Sequence, residues 1–367
     1  MKISLIYIGT TGAGPVYSFE MAKALAESRR CQLQVIVSEN VSNLDVWKSY
    51  FNNKDVDFHV VKTYNRSKLS VLLNTFNIKR KYKIYKLIRN FNADILYSPF
   101  VLMWERFLFG MLHGKVRIVK TIHDVKLHDS YHNIADFFTL LLNYGSMRYV
   151  DDVVILNNKD CKKVVNMYHK NTIIIPHACM NYYFSQTSED KSQTLNCRIG
   201  FFGRIEPYKG LDLLVEAFLK LDMQNLKLLI AGSGVIDDSL LKKIKENRNI
   251  ELINRYIKDE EFQPLLDKVD FVVLPYKSAS QSGVIPMCFA YGKTVVATDV
   301  GALSEQVPEG TGVLVSVNSD SIAEAIKSLY DSENHINEYG DRARKYAARE
   351  LTWERSAEIL LNALSGK

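Results

Sequence analysis

Residues 197–221 read CRIGFFGRIEPYKGLDLLVEAFLKL. An apolar run closes on Gly203, a polar turn with Pro207 and Gly210 follows, and an apolar-periodic stretch starts at Leu211. That is one strand, one turn and one helix. The same unit recurs along the chain. Apolar runs at 2–8, 32–38, 57–62, 93–97, 116–122, 152–156 and 171–175 are followed by others at 197–203, 226–232, 250–253, 270–275, 294–298 and 312–315. Helical patterns such as 15–28 and 134–148 lie between them. Phe271-Val272-Val273-Leu274 and Val295-Val296-Ala297 are apolar at every position, as strands covered on both faces require. Such alternation predicts an α/β fold with a doubly wound parallel sheet. It happens twice, so two Rossmann-like domains facing a cleft are expected, with ligands at the strands' carboxyl ends.

The length agrees, since 367 residues exceed one ordinary core and fit two domains. The break is read at Met180 to Asn196, which is polar and lacks periodicity. It separates a first domain, 1–180, from a second, 181–352. Charge changes sign there. Residues 1–180 carry 25 Lys+Arg against 14 Asp+Glu, or +11, and residues 181–367 carry 22 against 27, or −5, within a net charge of +6. A basic first half suits an anionic partner. With 47% hydrophobic and 24% charged residues the chain is neither disordered nor collagen-like. Five scattered cysteines without a CxxC pair support neither a disulfide framework nor a zinc site. No apolar run approaches the roughly 20 residues of a membrane span, and the run from Ile3 to Ile8 is too short for a signal-peptide core. A cytoplasmic protein is the expectation.

Four strand-end features carry chemistry. Gly9, Gly12 and Gly14 form a GxxGxG turn before a helix, either a ligand-facing loop or a plain tight turn. Its order is not the GxGxxG of dinucleotide binders, which leaves Glu39 a weak ribose-binding candidate. Gly203-Arg204 and, five residues on, Lys209 set two cations beyond a strand end. They are either a diphosphate clamp or two unrelated cations in a solvated loop. Ala231 to Gly234 is a glycine-rich turn of a common kind. Pro275-Tyr276 ends another strand, and Gln281-Ser282-Gly283-Val284 opens a helix whose first-turn N–H groups can bind an anion.

In this order the features resemble the retaining nucleotide-sugar glycosyltransferases of family 4, which have the two-domain GT-B fold. The likeness is carried by Gly203-Arg204, Lys209-Gly210, Glu216-Ala217-Phe218, Ala231 to Gly234, Pro275-Tyr276, Gly292 to Thr298, Gly301 and Glu305. Leu351-Thr352-Trp353-Glu354 opens a final helix, 353–367, like the one that crosses back onto the first domain in that family. The resemblance implies that Arg204 and Lys209 hold the donor diphosphate and stabilise the leaving nucleotide. It implies that Gly203, Gly234, Ser282, Gly283 and Val284 line the donor, with Gln281 and Glu305 beside it. Arg255-Tyr256-Ile257 would be the base-binding loop, with Tyr256 and Ile257 contacting the base. In the first domain, Gly12 and Gly14 would border the substrates, and His123, at the end of the strand 116–122, would touch the transferred sugar. His128 and His132 read as surface residues, and His177, near the domain hinge, as either a cleft-lining or a structural residue.

The chain departs from the family at two glutamates separated by seven residues. Their places hold Ala279 and Met287. Asp55-Val56-Asp57 and Asp151-Asp152 start strands, so no metal and no required cofactor are expected. The stretch 78–91 sets Ile78, Tyr82, Tyr85 and Ile88 at helical spacing against Lys79, Arg80, Lys81, Lys83, Lys86 and Arg89. It is either a helix docked on its own sheet or a basic face for anionic membrane, and no nucleic-acid motif accompanies it. The resemblance implies transfer of a sugar from a UDP- or GDP-linked donor to a glycan or polyprenyl-phosphate-linked acceptor, with retention, in bacterial O-antigen, capsule or exopolysaccharide synthesis. The alternatives are a nucleotide-sugar epimerase of the same fold and a non-catalytic nucleotide- or glycan-binding partner subunit.

Overall fold

The computed structural model describes residues 1–64, 74, 77–123, 145–179, 197–223 and 225–366. Contacts divide the chain into two compact units, Met1–Pro176 with Trp353–Lys367, and His177–Thr352. The expected linker, 180–196, lies outside the described residues, as does most of the expected helix 134–148. Residues 177–179 pack with the second unit rather than the first. The Cys179 N–H donates to the Leu351 carbonyl at 2.8 Å, and its thiol donates to the Pro286 carbonyl at 3.0 Å.

The first unit holds β1 (Lys2–Tyr7), β2 (Gln32–Ser38), β3 (Asp57–Val61), β4 (Ile95–Ser98), β5 (Arg117–Ile122), β6 (Asp152–Ile155) and β7 (Asn171–Ile174). They form a sheet in the order β3-β2-β1-β4-β5-β6-β7, with parallel pairing throughout. Its helices are α1 (Gly14–Ser28), α2 (Leu44–Phe51), α3 (Ile78–Asn90), α4 (Glu105–Leu112) and α5 (Cys161–Tyr168). Helix α1 forms because Pro15 sits in its first turn, where a missing N–H costs nothing. It ends where Arg29 turns left-handed at φ 52°.

The second unit repeats the plan. Strands β8 (Cys197–Phe202), β9 (Leu226–Gly232), β10 (Ile250–Asn254), β11 (Phe271–Leu274), β12 (Val295–Thr298) and β13 (Gly312–Val315) run in the order β10-β9-β8-β11-β12-β13, again parallel. The helices are α6 (Leu211–Leu221), α7 (Asp238–Glu246), α8 (Asp259–Asp267), α9 (Val284–Ala290), α10 (Leu303–Gln306), α11 (Ser319–Tyr330) and α12 (Glu333–Glu350). Every residue of β11 and β12 is buried, which their unbroken apolar sequence anticipates. The last helix, α13 (Trp353–Leu364), belongs to the first unit, where it packs on α1.

Each sheet starts from a central strand and is built outward to both sides, so the direction of winding reverses between β1 and β4 and between β8 and β11. Loops leaving adjacent strands at such a switch point turn to opposite faces and open a crevice at the carboxyl ends. All four strand-end features, and His123, follow strands at or near these two points.

Helix α3 corrects one expectation. Asn77 caps it by accepting the Arg80 N–H at 3.2 Å. The buried stripe is Lys81, Ile84 and Ile88, not the Ile78–Tyr82–Tyr85–Ile88 line. Lys81 is 6% exposed, with its ammonium 4.8 Å from the Phe107 ring and 5.7 Å from that of Trp104. Burial lowers its pKa. Ile78 and Tyr82, 62% and 45% exposed, share the outer face with exposed Lys79, Lys83 and Lys86. Helix period decides this: Lys81, Ile84 and Ile88 lie one turn apart on the side facing α4, and aromatic rings there receive the lysine stem.

Candidate active site

In the second unit, β8 ends at Gly203, whose φ of 112° needs glycine. A side chain there would also begin 3.3 Å from the Lys209 Nζ. The turn after it closes through a short 3-10 segment, Pro207–Lys209. Gly210 follows, and a Cβ on it would strike the Pro275 carbonyl at 1.9 Å. The ends of β8 and β11 therefore touch, which brings Lys209 to Tyr276. The Lys209 ammonium donates to the Tyr276 hydroxyl at 3.0 Å and lies 4.6 Å from that ring's centre. The Tyr276 hydroxyl is 3.4 Å from the Ser282 hydroxyl. Tyr276 and Ser282 are both buried.

Burial pulls the Lys209 pKa down, Tyr276 and then Tyr208 pull it up, and the balance is upward, so Lys209 is an ammonium ion at neutral pH. Arg204 is close enough for its charge to oppose that of Lys209. Its side chain is 73% exposed, with Glu206 at a loose 3.8 Å. Two cations held near one another at a strand's carboxyl end are relieved by an anion between them.

The head of α9 is more committed than its sequence implies. The Ser282 N–H, expected among the anion donors, is taken by Gln306 Oε1 at 2.7 Å, and Gln306 Nε2 donates back to the Ser282 carbonyl at 3.0 Å. The Val284 N–H donates to the Ser282 hydroxyl at 3.2 Å. Gly283 lies between these two amides. His177 packs against it, with Nε2 3.7 Å from where a Gly283 Cβ would stand. A carbonyl can only accept, so the 2.9 Å contact of His177 Nδ1 with the Ala178 carbonyl puts the proton on Nδ1. Burial lowers the ring's pKa and keeps it neutral. Gln281 Oε1 is buried without a hydrogen-bond partner among the described residues. Glu305 is half-buried on α10, one residue before the Gln306 clamp. The backbone of Ala279 is pressed against Gly301, where a Cβ would meet the Ala279 carbonyl at 1.5 Å.

The expected base loop follows β10. Gly234, after β9, is tied to it through Asn254, whose amide accepts the Gly234 N–H at 3.2 Å and donates to the Gly234 carbonyl at 3.1 Å. Arg255 does not reach outward. It forks onto Glu261 at 2.6 and 2.8 Å and donates to the Tyr256 carbonyl at 3.1 Å. Glu261 also accepts the Lys258 N–H at 3.0 Å. The Arg255 guanidinium holds the Glu261 pKa down to about 2. This frame leaves Tyr256 70% exposed and Val235 93% exposed, beyond neighbouring strands. Ile257 packs against the core beneath.

In the first unit, Gly9 and Gly14 close over the Tyr7 hydroxyl, which lies 2.4 and 2.6 Å from the Cβ positions they lack. Gly12, at φ 84°, is exposed at the tip. Tyr7 is 6.4 Å from Phe100 between ring centres, and Phe100 is 4.2 Å from His123. His123 Nε2 donates to the Pro99 carbonyl at 3.0 Å, and its ring meets that of Tyr17 edge-on at 4.6 Å. The β1–α1 turn and His123 are thus parts of one aromatic-walled neighbourhood. His128 and His132 lie outside the described residues. Asp57 accepts from Gln34 and pairs with His59, Asp151 accepts the Ile118 N–H, and Asp152 holds Arg117, so these acids are committed to structure. No group of three His, Cys, Asp or Glu suited to a metal occurs among the described residues. Nor is any described helix long and apolar enough to cross a membrane.

The sequence marks Tyr276 as a strand end but gives it no role, and it does not single out Gln306, Asn254 or Glu261. Only Glu261 left a signal, an acid three residues after Lys258 at a helix start.

Residues 196–332 match the family model of glycosyl transferases group 1. An uncharacterized glycosyltransferase of Methanocaldococcus jannaschii is 26% identical over 328 residues, covering 82% of this chain and 88% of the relative. Sucrose-phosphate synthase from Thermosynechococcus elongatus superposes with a TM-score of 0.72 at 16% identity, over all of this chain and 98% of the other. Anabaena HepE, solved in complex with UDP, gives 0.71 at 16% identity over the whole of both chains. The fold is GT-B, with two Rossmann-like units, and the family match and the relative's name support a glycosyltransferase.

Proposed function

We propose that the chain is a retaining family 4 glycosyltransferase that takes a UDP- or GDP-linked sugar and transfers it to a glycan or polyprenyl-phosphate-linked acceptor of a bacterial surface polysaccharide. The observation that carries this reading is Lys209, an ammonium ion fixed on Tyr276 beside Arg204 and the Ser282–Gly283 turn. Such a group suits the diphosphate of a departing nucleotide, where charge grows in the transition state. The UDP and UDP-glucose bound by HepE are consistent with that donor class. Arg204 adds a second, solvent-screened charge. Tyr256 and Ile257 face the base, with the Glu261 frame holding their loop. His123, its Nε2–H held on Pro99, meets the transferred sugar, and the Gly12–Gly14 turn borders the acceptor.

The same reading includes peripheral contact with the inner face of the cell membrane through α3. Residues 58–93 contain nine Lys and Arg and no Asp or Glu. The outer face mixes those cations with Ile78 and Tyr82, and Lys86 sits over the Tyr82 ring at 5.0 Å. Apolar and cationic groups on one face are what an anionic bilayer surface binds.

The test is turnover. The protein is incubated with UDP- and GDP-sugars and polyprenyl-phosphate-linked acceptor, and nucleoside diphosphate release and product anomer are followed by NMR. Release with a retained anomer supports the reading. A new nucleotide sugar without diphosphate release would make it an epimerase, and nucleotide binding without any turnover would make it a partner subunit.

A further inference from the structure

The geometry points to Trp353 as a positioning residue for His123, acting through Tyr17. This rests on the reading of His123 given above. Trp353 opens α13, so it arrives at the first unit from the far end of the sequence. Its ring meets Tyr17 edge-on, 4.9 Å between centres and 80° between planes. Tyr17 in turn meets His123 at 4.6 Å and 83°. Phe100 meets the imidazole on an adjacent side at 4.2 Å and touches Tyr17 itself, 6.4 Å between ring centres. The histidine ring therefore sits in the corner between two aromatic walls, and Trp353 backs one of them.

Tyr17 is also fixed at its hydroxyl end, which hydrogen-bonds Tyr97. The Tyr97 hydroxyl lies 2.9 Å from that of Thr121, two residues before His123 on the same strand end. Burial raises the Tyr17 pKa, so it is a neutral phenol. With its hydroxyl tethered, the tilt of the Tyr17 ring is set by what lies against its face and edge. Trp353, 2% exposed, is one of those bodies.

The choice of tryptophan has a cost that packing alone does not explain. Its indole N–H is buried with no acceptor among the described residues, and a buried donor left unpaired is destabilising. A phenylalanine would fill much of the space without it. The indole meets Tyr17 edge-on at 4.9 Å, so shape against Tyr17 is what the residue provides beyond helix docking. Docking of α13 has other ties. Arg117 donates to the Leu364 carbonyl at 3.3 Å and Arg30 to Asn362 Oδ1 at 2.7 Å.

The experiment uses the full chain with isotope-labelled histidine, and compares Trp353→Phe, Tyr17→Leu and Asn362→Ala with the parent. Ring-current shifts and the Nε2–H signature of His123 are read by NMR, with assignment from His123→Asn. Steady-state kcat and KM are measured with the donor that turns over. Trp353→Phe should move the His123 signals and leave the other assigned histidines in place, as should Tyr17→Leu. Asn362→Ala, which loosens the same helix away from Tyr17, should not. Misplacement of a reacting group by about 1 Å can cost up to about 100-fold, so kcat should fall about 10-fold or more in Trp353→Phe while donor KM changes less than about twofold. Unmoved His123 signals in Trp353→Phe, or equal movement in Asn362→Ala, would overturn the assignment. If Trp353→Phe is too unstable to study, Trp353→Tyr decides it. The smaller ring should still move the His123 signals, and unchanged signals would overturn the assignment. Normal turnover in His123→Asn would refute the role given to His123, while the NMR comparison would still decide what Trp353 does to its ring.

Discussion

Replacing Lys209 by methionine should cost nucleoside diphosphate affinity in proportion to what its ammonium can donate. An ammonium has three N–H donors. One goes to Tyr276 at 3.0 Å, which leaves two for a phosphate. A hydrogen bond to a charged group contributes about 1.5–3 kcal/mol, so one such bond lost weakens binding about 10- to 150-fold. Arg204 carries the same charge but stands largely in solvent. An exposed pair contributes only about 0.2–1 kcal/mol, so Arg204→Met should cost no more than about fivefold. Tyr276→Phe should fall between, because the ring stays under the ammonium at 4.6 Å while the hydroxyl that aims it is gone. Titration calorimetry with UDP, GDP and uridine at fixed salt reads all three. Uridine has no phosphate, so its affinity should not change in Lys209→Met. If Lys209→Met binds the preferred diphosphate within twofold of the parent, or loses uridine to the same degree, the diphosphate clamp is wrong.

Glu105→Ala should destabilise the first unit by about 3–5 kcal/mol, because it strands the Lys120 ammonium without its ion pair at 3% exposure; denaturant unfolding followed by tryptophan fluorescence measures it. The Arg255–Glu261 frame should be intact at neutral pH and fail in acid. Glu261 has a depressed pKa, so its contribution is complete above the ordinary value of 4.5 and is lost as pH falls through about 2, and amide exchange in residues 255–258 should accelerate between those values but not above them. Lys83→Ala and Lys86→Ala should each weaken binding to vesicles rich in anionic lipid by about fivefold, from about 1 kcal/mol per cation near the surface, and leave binding to neutral vesicles unchanged.

The sheets were legible because parallel strands are buried on both faces, and uninterrupted apolar runs mark them. Each observed strand lies within two residues of its predicted run, and β2, β9 and β13 coincide with theirs. The glycine turns were legible for a related reason. Gly203 has a φ of 112° that other residues rarely adopt, and Gly210 sits where a Cβ has no room, so chemistry there is confined to one residue type. What could not be read were contacts made by residues far apart in sequence. Gln306 clamps Ser282 from 24 residues away, and Tyr276 reaches Lys209 across 67; neither spacing follows a helix or strand period. Lys81 was misread because a charge pattern says where solvent is usually found. It does not reveal that Trp104 and Phe107 come over that side of α3.

The two missing glutamates bear on what kind of catalysis this site can perform. At position 279 the backbone, not only the side chain, is constrained, since Gly301 must lack a Cβ for the Ala279 carbonyl to sit where it does. At 287 a thioether can neither take a proton nor form a strong hydrogen bond to a hydroxyl. The groups that do gather around the second unit's switch point are an ammonium, two hydroxyls and the amides at the head of α9. These are donors and cations, suited to accepting negative charge. Under the proposed reading, a site so composed would lower the barrier by stabilising what leaves rather than by activating what attacks. It also explains why the Ser282 amide can be spent on Gln306. The clamp fixes the turn's direction, and fixed donors gain more in a transition state than mobile ones, because none of the stabilisation is lost to reorienting them during the reaction. On this reasoning Gln306→Ala frees one N–H yet makes a worse site. Diphosphate affinity should change little while kcat falls, and a gain in kcat would show that the number of available amides matters more than their aim.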